Sequence, residues 1–168
     1  NPVLSYIEPS ASSASELVAE IIKFSTANSN IKLDPTFATI MLSGIFLDTG
    51  FYKSRTVGLR TFEASGVLKE YGADNAVADD LLKDEYEEYL MVSKIVTNRK
   101  NPAYGIVFCM ASESDIIDTS ILAKAANQCM ELKGTNAVFA IGKTSDKEVR
   151  VSARSDGSVN VQILCEKF

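Results

Sequence analysis

Apolar positions follow two different rhythms along this chain. As far as residue 98 they recur mostly at helical spacing. Beyond it, short apolar runs alternate with turns around one long amphipathic helix. Residues 3–7 form a short apolar run that reads as a strand, ended by Pro9. Ser12, Ser13 and Ser15 offer N-caps to the next helix, and Ser13 with Glu16 fits a capping box. Leu17, Ile21, Ile22 and Phe24 supply that helix's apolar face, and 28–30 reads as a loop. Asp34-Pro35 begins a second helix, with Asp as cap and Pro in the first turn. Phe37, Ile40, Met41, Gly44, Ile45 and Leu47 make it apolar nearly all round, which predicts burial on most sides, with Gly44 allowing a close neighbour.

Further helices are predicted over 60–71, closed by Gly72, over 75–82, and over 84–98, where Tyr86, Tyr89, Leu90 and Ile95 share a side. Residues 98–102 have the composition of a linker. After it, 104–110 reads as a strand and 116–132 as an amphipathic helix built on Ile117, Ile121, Leu122, Ala125, Ala126 and Met130. Strands are predicted over 137–141, 149–153 and 159–164, joined by hairpin turns at 142–147 and at Asp156-Gly157. The second half is therefore expected to be β-α-β-β-β, a small mixed sheet.

Charge narrows the functions open to such a chain. A net charge of −5 over 168 residues argues against binding long nucleic acid, which needs a basic face. No run approaches the roughly 20 apolar residues of a membrane span, and no signal-peptide pattern is present. Cys109, Cys129 and Cys165 have no paired spacing and read as buried or free thiols of a reducing compartment. There is no Met at position 1, so the chain is expected to begin inside a longer protein or after processing. Histidine is absent altogether, which removes His-dependent triads and His-containing metal sites from this chain.

Three places could carry chemistry. Asp48 ends an apolar helical run, where an ionised carboxylate is costly unless paired, hydrogen-bonded or metal-bound. Arg55, Thr56 and Arg60 follow it, a set that suits an anionic ligand beside a divalent ion. An ordinary helix-ending Asp and surface arginines fit the same pattern. Ser152-Ala153-Arg154-Ser155 enters the Asp156-Gly157 turn, and an Arg flanked by hydroxyls can clamp a phosphate. A plain hairpin with a solvent-facing Arg fits as well. Serines 10–15 at a helix start could hold an anion or simply cap the helix.

Taken in order, these stretches resemble the DHH–DHHA1 phosphoesterase family, and within it the GdpP-type cyclic-di-AMP phosphodiesterase branch. The resemblance runs through Asn1 to Pro9, Ser12 to Leu17, Gly44 to Thr49, Arg60 to Ser65, Gly72 to Asp74, and Ser152 to Ser155 with Asn160 to Gln162. It covers essentially the whole chain. Each motif is weak singly, and their order and spacing make the match specific.

The resemblance implies an α/β fold: the second half of a DHH parallel-sheet lobe (1–83), a connector helix and linker (84–101), and a small mixed-sheet DHHA1 lobe incomplete at its C-terminus (102–168). It implies a hydrolase with two manganese ions that opens cyclic-di-AMP to pApA. Of the family's metal ligands only one maps here, onto Asp48. The DHH motif is expected before Asn1 and the glycine-rich GGGH motif after Phe168, so the isolated chain is expected to be inactive and not to bind manganese alone. Arg154, with Ser152 and Ser155, is the implied phosphate or nucleotide contact, and Asn160 and Arg60 join it. Alternatives within the family are hydrolysis of short oligoribonucleotides or of 3′-phosphoadenosine phosphate. A non-catalytic nucleotide-binding module is the alternative of another class. The implied setting is bacterial signalling, on a cytoplasmic domain of a protein attached to the membrane through other segments. Exposed sheet edges predict a homodimer or larger species.

Overall fold

The computed structural model describes residues 5–26 and 32–167. The chain divides into two compact units, Asn1–Lys83 and Asp84–Phe168, each with its own apolar core, and its class is α/β.

The described part of the first unit is helical: α1 (Ala14–Thr26), α2 (Pro35–Thr49), α3 (Leu59–Glu70) and α4 (Asn75–Asp80). The predicted strand at 3–7 is not found where it can be followed: Val3 and Leu4 lie outside the described residues, and 5–7 are irregular. The predicted loop at 28–30 also lies outside them. Ser13 caps α1 by accepting from the Glu16 amide at 3.1 Å. Asp34 caps α2 by accepting from the Thr36 amide at 2.8 Å, and Pro35 fills the first turn, where no amide donor is required. Ala38, Leu42, Ile45 and Phe46 of α2 pack with Ala19, Ala64 and Leu68 to form the core. The other side of α2 differs from expectation. Phe37 (63%), Ile40 (50%) and Leu47 (67%) are exposed, because α1, α3 and α4 cover one face of the helix only.

The second unit carries α5 (Tyr86–Thr97), β1 (Arg99–Ala103), β2 (Ile106–Met110), α6 (Thr119–Met130), β3 (Ala137–Ser145), β4 (Glu148–Ser155) and α7 (Val161–Cys165). The sheet order is β1-β2-β3-β4, with β2 and β3 parallel and the outer pairs antiparallel. Helix α6 makes the crossover that a parallel pair requires. One sheet face, through Val107, Cys109, Val138 and Ala140, packs on α5 and α6 through Val92, Ile95, Ile121, Leu122, Ala125 and Ala126. On α5, therefore, Val92 and Ile95 face the core, while Tyr86, Tyr89 and Leu90 are exposed.

Two sequence expectations fail here. The linker at 98–102 is largely strand β1. All five of its residues are exposed, so no apolar alternation marks it, and Pro102 is tolerated because β1 is an edge strand with a register irregularity between Lys100 and Ala103. The strand predicted at 159–164 is helix α7. Asn160 caps it, accepting from the Ile163 amide at 3.2 Å, and a short, mostly apolar segment alone does not distinguish helix from strand. The hairpin between β3 and β4 is also tighter than expected, because β3 continues to Ser145.

Candidate functional site

The far end of α2 is built with care. Thr49 is fully buried; its hydroxyl donates to the Ile45 carbonyl at 2.6 Å and accepts from the Tyr52 amide at 3.0 Å. Gly50, Phe51 and Tyr52 then adopt φ values of 54°, 58° and 64°. Three successive left-handed residues are unusual, and the conformation costs about 1–2 kcal/mol for each non-glycine residue. Packing holds it in place. The Phe51 amide donates to the Phe46 carbonyl at 2.8 Å, the Phe51 and Tyr52 rings both lie against Phe46, and the Tyr52 hydroxyl meets the Ser65 hydroxyl at 2.9 Å. No apolar pattern in the sequence marks this turn; its signal is a Gly followed by two aromatics directly after a helix.

Asp48 is exposed on the last turn of α2, and its carboxylate makes no hydrogen bond or ion pair with the described residues. One turn earlier, a Cβ on Gly44 would collide with the Ser15 hydroxyl. The serine-rich start of α1 thus lies against α2 one helical turn before Asp48, as the glycine led us to expect. Two of the three candidate places therefore meet in one unit.

The hydroxyls at that helix start are already engaged. Ser12 Oγ donates to the Glu16 carboxylate, the Ser12 amide reaches the same oxygen at 3.3 Å, and Thr61 Oγ1 donates to Ser12 Oγ at 3.1 Å. Ser10 donates to Glu8 through amide and hydroxyl. Glu16 is 1% exposed. The anion at the start of α1 is thus the protein's own carboxylate, and the free anion site considered for serines 10–15 is not formed. Arg60 ties this network to α3. It is hydrogen-bonded to Glu20, donates to the Tyr6 hydroxyl at 2.8 Å, and lies 3.7 Å from Glu16 and 3.8 Å from Glu8. The hydrogen bond to Glu20 raises the Arg60 pKa, and the same bond lowers that of Glu20. Arg60 is thus committed to carboxylates, while Arg55 is exposed and has no partner among the described residues.

In the second unit, Ser152 lies opposite Ala140 and Arg154 opposite Val138, so the two share one face of β4. Arg154 donates through Nε to Asn127 Oδ1 of α6 at 2.8 Å and through Nη1 to the Ala153 carbonyl at 2.9 Å. Ser155 accepts from the Gly157 and Val159 amides at 3.0 and 3.3 Å. Ser155 and Asn160 therefore shape the turn and the start of α7 beside Arg154, which faces solvent.

A divalent metal centre needs several oxygen, nitrogen or sulfur ligands converging on one point. Among the described residues no group of three or more His, Cys, Asp or Glu side chains converges in this way. Asp48 alone does not make a metal site. Cys109 and Cys129 are buried and Cys165 is exposed, all as free thiols. Burial pushes the Cys109 thiol up to about 12, far from a reactive thiolate.

The chain is 37% identical over 167 residues, 99% of its length, to the cyclic-di-AMP phosphodiesterase GdpP of Geobacillus thermodenitrificans, and 36% identical over its full length to the cyclic-di-AMP phosphodiesterase PdeA of Listeria monocytogenes. This chain is a homologue of those phosphodiesterases. It spans about a quarter of the length of each, 25% in both cases. A membrane protein–large ribosomal subunit bL9 fusion protein of aster yellows witches'-broom phytoplasma is 31% identical over 99% of the chain, which covers 19% of it. No family model matches. Among solved structures, an exopolyphosphatase-related protein of Bacteroides fragilis superposes on 99% of the chain with a TM-score of 0.84, at 17% identity and over 50% of its own length. The fold is therefore shared with that protein.

Proposed function

We propose that this chain is part of a manganese-dependent phosphodiesterase that opens cyclic-di-AMP to linear pApA. Asp48 is one metal ligand in this reading. Arg154 binds a phosphate or nucleotide group, supported by Ser152, Ser155 and Asn160, with Arg60 as a further contact. Residues 1–83 belong to the DHH domain, 84–101 connect, and 102–168 belong to DHHA1. The remaining metal ligands lie outside this chain, so the 168 residues alone turn over nothing. The protein is a homodimer whose catalytic part faces the cytoplasm, attached to the membrane through other segments.

One observation carries this reading: full-length similarity, at 34–37% identity, to proteins named cyclic-di-AMP phosphodiesterases. Asp48, exposed at a helix end and without a partner among the described residues, is consistent with it. So is the Arg154 guanidinium, whose fork geometry suits phosphate.

The test uses the protein that carries this chain, with cyclic-di-AMP, pApA and short RNA as competing substrates. Asp48→Ala is expected to lower kcat/KM for cyclic-di-AMP by about a hundredfold or more, as loss of a ligand from a catalytic metal centre should. Arg154→Ala is expected to raise KM about tenfold, the scale of a charge-assisted hydrogen bond. Full manganese-dependent activity in Asp48→Ala would overturn the Asp48 assignment. Preference for short RNA would move the function to oligoribonucleotide hydrolysis.

A further inference from the structure

We infer that Arg99, Asn101, Lys133 and Thr135 form a binding site for a phosphate-sized oxyanion, supplied either as free phosphate or as the phosphate of a monoester. The site is separate from the Arg154 surface, and the inference does not rest on the function proposed above.

The first observation is a cavity. A pocket of about 90 Å³ lies within the second unit. Arg99 and Asn101 line it from β1, Gly105 to Val107 from the start of β2, and Leu132 to Thr135 from the turn after α6. Arg154 is not part of the lining. The volume is that of a few water molecules, which suits a tetrahedral oxyanion and not a whole nucleotide. Its backbone is fixed. The Gly105 carbonyl accepts from the Asn136 and Ala137 amides at 2.7 and 3.0 Å, and the Thr135 amide donates to the Leu132 carbonyl at 3.2 Å. A Cβ on Gly105, whose φ is 73°, would collide with the Asn136 side chain. The turn after α6 is therefore tied directly to the start of β2, and little ordering is left for a ligand to impose.

The second observation is the chemistry of the lining. Arg99, Asn101, Lys133 and Thr135 bring a guanidinium, an amide, an ammonium and a hydroxyl, all of them hydrogen-bond donors. None of these four side chains makes a hydrogen bond or ion pair with the described residues. No Asp or Glu lines the pocket, although the chain as a whole carries a net charge of −5. Two cations around so small a cavity repel each other unless an anion lies between them.

The C-terminal end of α6 does not account for these cations. Helix carbonyls can hold basic side chains in this position. Here the Gln128, Cys129 and Leu132 carbonyls accept from the Glu131, Leu132 and Thr135 amides instead, so the backbone closes the helix end by itself. The guanidinium fork of Arg99 can make paired hydrogen bonds to phosphate oxygens, and Lys133 adds a point charge.

The experiment is a titration of the 168-residue chain with inorganic phosphate, at ionic strength held constant with chloride and followed by amide NMR. Phosphate is expected to give saturable shifts at Gly105, Gly134 and Thr135 and at the Arg99 side chain. Acetate, planar and singly charged, is expected to bind about tenfold more weakly. Arg99→Ala and Lys133→Ala are each expected to weaken phosphate about tenfold, the scale of a hydrogen bond to a charged group. Arg99→Lys keeps the charge and loses the fork, so it should weaken phosphate less than Arg99→Ala does. Both residues are exposed, and an unchanged spectrum away from the pocket shows that each variant is folded. Ribose 5-phosphate, titrated in parallel, distinguishes the sources: the same shifts point to a monoester, and shifts with inorganic phosphate alone point to the free ion. No saturable shift with either ligand, an equal response to acetate, shifts confined to Asn127 and Arg154, or full phosphate affinity in both alanine variants would each overturn the inference.

Discussion

At the scale of residues, several carboxylates complete donor sets at helix starts and around Arg60. Asp34, Asp74 and Asp118 accept backbone amides at the starts of α2, α4 and α6, and those hydrogen bonds hold their carboxyls below the usual range. Glu20 is held low chiefly by its hydrogen bond from Arg60. A depressed folded-state pKa favours the folded protein while the group is ionised. This contribution is complete above the unfolded carboxylate values of about 4 and is lost as pH falls through the folded values. With no histidine in the chain, no imidazole titrates between pH 5 and 8. The urea midpoint is therefore expected to be nearly flat from pH 8 to 5 and to fall below about pH 4. A midpoint unchanged from pH 6 to pH 3 would contradict this. The Asp34 cap and the Ser13–Glu16 pair were legible in the sequence because capping is local chemistry. The burial of Glu16 and the engagement of Arg60 were not, because Arg60 meets Glu8, Glu16 and Glu20 across separations of 40 residues or more, which no local pattern records.

At the scale of elements, the end of α2 is held in an unusual left-handed turn. Gly50 has a left-handed backbone, and a Cβ placed there meets nothing within 4 Å, so substitution costs conformational strain alone. Gly50→Ala is expected to destabilise the chain by about 1 kcal/mol, and Gly50→Asn by less, since asparagine tolerates this region. Tyr52→Phe removes only the bond to Ser65 and is expected to cost about 1 kcal/mol. Chemical denaturation checks all three, and wild-type stability in Gly50→Ala would show that the turn relaxes without cost. Helices with strong apolar periodicity, such as α6, were readable from the chain because one buried stripe fixes both their type and their face. Strand β1 and helix α7 were not. An exposed edge strand has no inward side to leave a pattern, and a short, mostly apolar segment suits either conformation until its cap is seen. Asp48 and Arg154 could be singled out as candidates from the sequence, each within its own unit. The left-handed turn beside Asp48 could not, because aromatic residues do not advertise a positive φ.

At the scale of the molecule, the two units leave much apolar surface open. Phe37, Ile40 and Leu47 line one side of α2. In the second unit, a groove of about 670 Å³ is bordered by Phe108, Phe139, Ile141, Val151 and Leu164 on the sheet face turned away from α5 and α6. Apolar surface of this kind, together with the exposed edges of β1 and β4, favours association. Light scattering of the 168-residue chain is expected to give a mass that rises with concentration to a dimer or beyond, and a constant monomer mass would contradict this. No helix among the described residues is long and apolar enough to cross a membrane. The proposed function makes this chain one part of a cyclic-di-AMP phosphodiesterase. Its most direct test is conversion of cyclic-di-AMP to pApA, with and without manganese, by the purified protein that carries this chain and, in parallel, by the 168 residues alone. Manganese-dependent turnover is expected from the longer protein only. No turnover by that protein with manganese present would contradict it.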